Sequence, residues 1–270
     1  MRTLVHLSDL HFGNHHAALL DPLRAKVVEL APDLVIVSGD FVEHATLSEF
    51  RHARDYVQSL PGPQLVVAGN HDLAFYDPVR RYREGLRPYQ RHISEELEPV
   101  VRDEEMVVIG VNTPRIFPIK GGRINQRQIR RVQKETCDAG APVLRVLVTH
   151  HPLDLPGTFH KSALAGRARL AVDALANCVD LMIAGHVHLS SVGATTTRYT
   201  RSGRSMIFAQ AGTAVSLRNK GEPNSFNVIR AQPGHVTIEH HTWHAERTTY
   251  DVRAAEKFER CPDGWRKLKS

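Results

Sequence analysis

The chain has 270 residues, 41% hydrophobic and 24% charged, an ordinary globular mixture that excludes collagen, coiled coil and wholesale disorder. Its 35 basic residues against 29 acidic ones leave a net charge of +6, which suits an anionic ligand or plain solubility and does not by itself specify nucleic acid. The longest apolar run, Met106 to Val111, falls far short of the ~18 residues of a membrane-spanning helix. The N-terminus carries no apolar leader with a small-residue cleavage site. Cys137, Cys178 and Cys261 are too few and too scattered for a disulfide framework. A soluble, cytoplasmic protein in a reducing compartment is expected, with one domain over residues 1–242 and a charged tail over 243–270 packed on it or extending from it.

Short runs of Val, Ile and Leu alternate with longer amphipathic stretches, the pattern of strand-helix units feeding a largely parallel, buried sheet. Strands are expected at Leu4–Leu7, Leu34–Val37, Leu65–Ala68, Met106–Val111, Val143–Val148 and Leu181–Ala184. Asp21 before Pro22 reads as a helix cap, and Thr46 with Glu49 and Asn125 with Gln128 read as capping boxes. After about residue 190, Ser205–Ala211, Phe226–Arg230 and Val236–His241 read as strands without helices between them. They predict a second, more antiparallel sheet, so the fold is α/β with two packed sheets and helices outside.

Polar residues suited to chemistry stand at the strand ends. Asp9 and His11 come directly after the first strand, Gly39-Asp40 after the second, Gly69-Asn70-His71-Asp72 after the third, His150-His151 after the fifth and Gly185-His186-Val187-His188 after the sixth. Ligands of parallel sheets bind at the carboxyl ends of strands, so these residues are expected to meet in one cleft. Residues two apart in an extended segment share a face, which lets Asp9 with His11, and His186 with His188, act as chelating pairs. Seven donors exceed the four of one tetrahedral site. They match two ions sharing a carboxylate, which would generate a hydroxide and neutralise charge on a phosphoryl group during in-line displacement. Oxygen and nitrogen donors without thiolate suit manganese, iron, zinc or cobalt. A single histidine at a strand end is usually only a polar loop residue. Seventeen histidines in 270 positions would fill four chosen slots by chance roughly once in sixty thousand trials, so the set carries information that each member lacks.

The ordered set Asp9-x-His11, Gly39-Asp40, Gly69-Asn70-His71-Asp72, His150 and Gly185-His186-x-His188 resembles the calcineurin-like metallophosphoesterase superfamily. The resemblance spans residues 4 to 188 and implies a four-layer αββα sandwich of two mixed sheets, with a binuclear metal site at the strand carboxyl ends. It further implies that Asp9, His11 and His188 bind one metal, that Asn70, His150 and His186 bind the second, and that Asp40 bridges them. His71 resembles the catalytic histidine that steadies the phosphoryl group or protonates the leaving oxygen, and Asp72 would orient its ring. Phe41-Val42-Glu43-His44 and Asp72 depart from the Val-Asp-Arg-Gly and Glu of protein phosphatases. His71 stands where enzymes cleaving UDP-diacylglucosamine carry Arg. The run His6 to Gly13 with His150-His151-Pro152 looks most like bacterial class III cyclic-nucleotide phosphodiesterases.

Three functional classes are open. The first is a metal-dependent phosphodiesterase for a small soluble substrate, a cyclic nucleotide or related phosphodiester, with hydrolysis of a sugar-nucleotide or lipid A precursor pyrophosphate as its neighbour. The second is a DNA-repair-type nuclease, disfavoured because 270 residues leave little room for a DNA-capping domain. The third is a silent scaffold, disfavoured because unpaired buried ligands would cost stability. Arg80, Arg83, Arg87 and Arg91 form a candidate cationic stripe, Asn14, His15 and His16 a polar loop by the cleft, and Phe75–Leu97 a candidate cap that selects substrate or joins a homodimer. His151 is expected to face away from its neighbour His150.

Overall fold

The second strand is buried along its whole length, and the alternation within it sets the layers. Leu34 and Ile36 point one way into a core shared with Val108, Val146, Ile183 and Ile229, while Val35 and Val37 point the other way, toward Leu23, Val27, Phe50 and Val57. A strand apolar on both faces needs cover on both faces. The computed structural model, which describes residues 1–137, 144–156, 159–195 and 204–268, supplies it as four layers.

In chain order the elements are β1 (Arg2–Leu7), α1 (Leu20–Leu30), β2 (Leu34–Ser38), α2 (Leu47–Gln58), β3 (Gln64–Val67), α3 (Pro78–Glu84), α4 (Arg87–His92), β4 (Val100–Arg102), β5 (Met106–Val111), α5 (Gln126–Thr136), β6 (Leu144–Thr149), α6 (Ala168–Leu175), β7 (Leu181–Ala184), β8 (Ser191–Ala194), β9 (Ile207–Gln210), β10 (Ser225–Gln232), β11 (His235–His244), β12 (Thr249–Cys261) and β13 (Gly264–Lys267). One sheet runs β13-β12-β11-β10-β1-β2-β3, and the other β4-β5-β6-β7-β9-β8. β1, β2 and β3 are mutually parallel, as are β5, β6, β7 and β9, and antiparallel strands flank both sets. Helices α1, α2 and α4 cover the first sheet, and α5 and α6 cover the second.

The strands after residue 190 do not make a sheet of their own. β10 pairs antiparallel with β1, and β9 joins β7 in the other sheet, because the first and last strands meet to extend the sheet already begun. β11 continues through residue 243, and β12 and β13 complete that sheet's edge. Val143 lies outside the described residues. The capping boxes at Thr46 with Glu49 and Asn125 with Gln128 are both present. Asp21 is not a cap: α1 starts one residue earlier, led in by a 3-10 turn over Ala17–Leu19, so Asp21 is already helical and pairs with Arg24 at 2.6 Å. Cys137, after α5, and Cys178, after α6, are joined in a disulfide with Cα atoms 4.4 Å apart, and Cys261 is free. Two helices packed side by side bring together cysteines that look scattered in sequence. Among the described residues no helix is long and apolar enough to cross a membrane.

Asp180 clamps the two sheets together. Its carboxylate takes Arg145 Nε at 2.9 Å from the start of β6, and Arg260 Nη2 and Trp265 Nε1, each at 3.0 Å, from the other sheet. Burial works against that charge, but Arg145 and Arg260 outweigh it and hold the Asp180 pKa below its ordinary value. Asp180→Asn is expected to cost about 3 kcal/mol at pH 7, because it leaves two guanidinium groups without their carboxylate. A depressed pKa adds stability above the unfolded value, near ~4, that is lost as pH falls through the folded one. Urea melts should therefore show the gap between wild type and variant narrowing by pH 3. A gap equal at pH 3 and pH 7 would contradict the clamp.

Candidate metal centre

The predicted ligands sit on the loops that leave the carboxyl ends of β1, β2, β3, β6 and β7. Asp9, His11, Asp40, His186 and His188 all have positive φ, between 48° and 71°, a conformation that costs non-glycine residues energy and gathers at functional sites. Asp9 and His11 therefore converge through successive left-handed turns, and not through the shared face of an extended strand. Backbone bonds tie these turns together, from Asp9 N to Gly39 O at 3.1 Å and from His11 N to Asp40 O at 3.0 Å. Gly39, with φ of 93°, leaves room for the His150 ring, whose Nδ1 would lie 2.6 Å from a Cβ there.

Two clusters share Asp40. In the first, His188 Nε2 lies 3.1 Å from Asp9 Oδ1 and 3.3 Å from His11 Nε2, which in turn is 3.6 Å from Asp40 Oδ2. In the second, His150 Nε2 is 3.3 Å from the same Asp40 Oδ2 and 3.1 Å from Asn70 Oδ1. The His186 ring completes that side, its centroid 5.2 Å from that of His150.

Behind the clusters, each Nδ1 of three histidines faces an acceptor: Glu43 Oε2 at 2.9 Å for His11, Ser38 O at 2.8 Å for His150 and Arg218 O at 2.7 Å for His188. The bonds of His150 and His188 place a proton on Nδ1 and turn Nε2 into the clusters, whereas His11 Nδ1 stands beside Glu43 without a hydrogen bond. These nitrogens and oxygens face one another at 3.1 to 3.6 Å, a crowding that protons on the imidazoles or a cation among them relieves. Asp9 Oδ1 is buried without a hydrogen bond, although two imidazoles approach it. Burial lowers the pKa of His11, but Asp9 and Glu43 outweigh it and push the value up to about 9; Asp40 does the same for His150. The pocket attracts positive charge, and its donor set fits divalent ions.

His71 stands beside this pair of clusters. Its backbone N–H donates to Asp40 Oδ1 at 2.8 Å, and its ring stacks on Phe75 at 4.0 Å between centroids. Nδ1 donates to the Glu43 carbonyl at 2.9 Å, and Nε2 accepts from Arg218 Nη1 at 2.9 Å. Burial depresses the pKa to about 4, so the ring is neutral. Asp72 does not orient this ring. Its carboxylate accepts from the backbone N–H of Phe41 at 2.9 Å and of Gly69 at 2.7 Å, stapling the Asp40 loop to the Asn70 loop. Burial and then Asp40 push its pKa up to about 7.

Glu43 and Arg218 also stand at the candidate site, where the sequence expectations did not place them. Glu43 meets His11, accepts from Tyr76 Oη at 2.7 Å and pairs with Arg218 at 3.2 Å. It lies three residues beyond Asp40, and a carboxylate so close to a ligand was a usable signal; Arg218 had none. His151 does not face away from the site: its ring centroid is 4.4 Å from that of His186. Its Nδ1 lies 2.9 Å from Thr113 Oγ1 and its Nε2 3.2 Å from the Lys120 carbonyl, so both nitrogens have protein partners. Asn14 and His16 bond the backbone of Leu217 and Val215, which steadies the segment carrying Arg218.

The candidate cap splits into α3 and α4, which breaks the arginine stripe at Gly85. Its anchor is a different arginine. Arg81 is fully buried, and its guanidinium donates to the carbonyls of Asn70, Leu73, Arg115, Ile116 and Ile119 at 2.8 to 3.3 Å. A cavity of about 610 Å³ opens over the clusters, lined in part by Asp40, His71, Phe75, Lys120, Arg218 and Lys220.

A cleft of this kind, with mixed oxygen and nitrogen donors at the strand ends of a four-layer sandwich, is the signature of a hydrolytic metal-site fold. The calcineurin-like phosphoesterase family matches residues 2–190. The chain belongs to that family. It is 29% identical over 162 residues to a probable cyclic nucleotide phosphodiesterase of a Synechococcus strain, a match covering 58% of each chain. A probable glycerophosphodiester phosphodiesterase of Arcobacter nitrofigilis is 30% identical over 190 residues, 67% of this chain and 64% of that one. The chain thus spans less than two thirds of the length of these two relatives. Among solved structures, a dimetal phosphatase from Danio rerio shares the fold with a TM-score of 0.66 at 10% identity, covering 93% of this chain and 98% of that one.

Proposed function

We propose that the protein is a metal-dependent phosphodiesterase acting on a small soluble substrate, a cyclic nucleotide or a related phosphodiester. The observation that carries this reading is Asp40 Oδ2, set 3.6 Å from His11 Nε2 and 3.3 Å from His150 Nε2. A carboxylate so placed serves two clusters at once. Asp9, His11, Asp40 and His188 would hold one divalent ion, and Asp40, Asn70, His150 and His186 a second, with manganese, iron or zinc as candidates. When bound, such ions activate water near neutral pH and neutralise charge gathering on the phosphoryl oxygens.

The chain's own groups do the rest. Asp72 keeps the Asp40 and Asn70 loops in register, and Glu43 backs His11 at 2.9 Å while holding Arg218. Arg218, steered by His71 Nε2, presents guanidinium protons at the cleft wall, suited to a phosphoryl oxygen. The names of the two relatives support a diester over a monoester.

The test is hydrolysis of bis-p-nitrophenyl phosphate beside p-nitrophenyl phosphate by protein stripped of metal and reloaded with manganese, iron(II) or zinc. The expected result is metal-dependent diesterase activity above monoesterase activity. Two ions bound per chain with no hydrolysis of either ester would overturn the reading.

A further inference from the structure

The cleft holds more positive charge than one phosphodiester needs. Lys120, Arg218 and Lys220 all line it, and Asp40 is the single carboxylate among its lining residues. Arg218 is partly balanced by Glu43. Among the described residues, neither Lys120 nor Lys220 has a carboxylate within ion-pair distance.

Lys220 and Arg218 are tied to the site by their own side chains, and Lys120, an exposed cation, by its backbone. The Lys120 carbonyl lies 3.2 Å from His151 Nε2. Lys220 Nζ donates at 2.8 Å to the carbonyl of Val187, the residue between His186 and His188. The Arg218 carbonyl takes His188 Nδ1 at 2.7 Å, and its guanidinium takes His71 Nε2 at 2.9 Å. Each segment is thus bonded to the loops that carry the candidate ligands, which holds the Lys220 and Arg218 head groups and fixes where the Lys120 side chain begins. Gly122 permits this on the Lys120 side, since a Cβ there would lie 2.3 Å from the His151 ring.

We propose that Lys120 and Lys220, with Arg218, form a subsite for a second anionic group, and that the natural substrate is a phosphodiester carrying a further phosphate. This inference rests on the phosphodiesterase reading for the word substrate, but not for the subsite. A lone phosphodiester is a monoanion, for which Arg218 and the metal clusters suffice. The two lysines add charge that a monoanion does not require, and a cavity of about 610 Å³ lies within the usual range for ligands of nucleotide size.

Binding separates the subsite from turnover. Calorimetric titration of the manganese-loaded full chain would compare adenosine 5′-monophosphate with adenosine 3′,5′-bisphosphate at low and high salt. The bisphosphate is expected to bind about tenfold tighter at low salt, the worth of one good charge-assisted contact, with the advantage shrinking as salt screens it. Lys220→Gln and, independently, the exposed Lys120→Ala should each cut that advantage to about threefold or less, metal content being measured in both. Equal affinity for the two nucleotides in wild type, or an advantage that survives in both variants, would overturn the proposal. A bisphosphate preference in protein that hydrolyses neither nitrophenyl ester would refute the enzyme and keep the subsite. Hydrolysis without the preference would do the reverse.

Discussion

Replacing Asp40 with alanine is expected to remove both metals and lower diesterase turnover by about four orders of magnitude or more, a barrier increase of about 5–6 kcal/mol. The size follows from position. One oxygen of this carboxylate faces both clusters, and the other accepts the His71 backbone N–H at 2.8 Å. Removing it leaves His150 buried without the carboxylate that does most to hold its pKa near 9, and takes one of the carboxylates beside His11. Metal analysis of the purified variant beside the bis-p-nitrophenyl phosphate assay checks this, with thermal melts to show that the fold survives. Two ions per chain and near-normal turnover would remove Asp40 from the shared position.

The second large effect is expected at His71, whose change to alanine should lower kcat by about two to four orders of magnitude while both metals stay bound. Its geometry also forecasts how the loss arises. Nδ1 donates to a carbonyl and Nε2 accepts from a guanidinium, so neither nitrogen has a proton to give to a leaving oxygen. The loss should accordingly be similar across aryl phosphodiesters whose leaving groups differ in acidity. A loss that shrinks steadily as the leaving group becomes more acidic would restore the histidine as a proton donor.

The seven candidate ligands were legible in sequence because each comes within a few residues of the end of a buried strand, and parallel strands deliver their carboxyl ends to one edge. The groups that hold those ligands in place were not legible. Arg218 meets His71 across 147 residues of chain, a separation that leaves no local trace. Arg81 was hidden by its neighbours: Arg80, Arg83, Arg87 and Arg91 share a helical spacing, but Gly85 divides the helix and the arginine between them is the buried one. Asp72, next to His71 in sequence, turns its carboxylate to the backbone of Phe41 and Gly69 instead. β12 escaped notice for another reason. It lies near the edge of its sheet with only Tyr250 and Phe258 buried among thirteen residues, so neither alternation nor an apolar run marks it.

Arg81 has a consequence for how the cap responds to its surroundings. Its five partners are carbonyl dipoles with no carboxylate among them, and burial lowers its pKa only to about 10. The latch between α3, the 115–119 loop and Asn70 therefore has nothing to titrate from mild acid to mild alkali, and little for added salt to screen. Acidification that weakens the carboxylate contacts of this protein leaves that latch closed, so α3, the 115–119 loop and Asn70 stay joined.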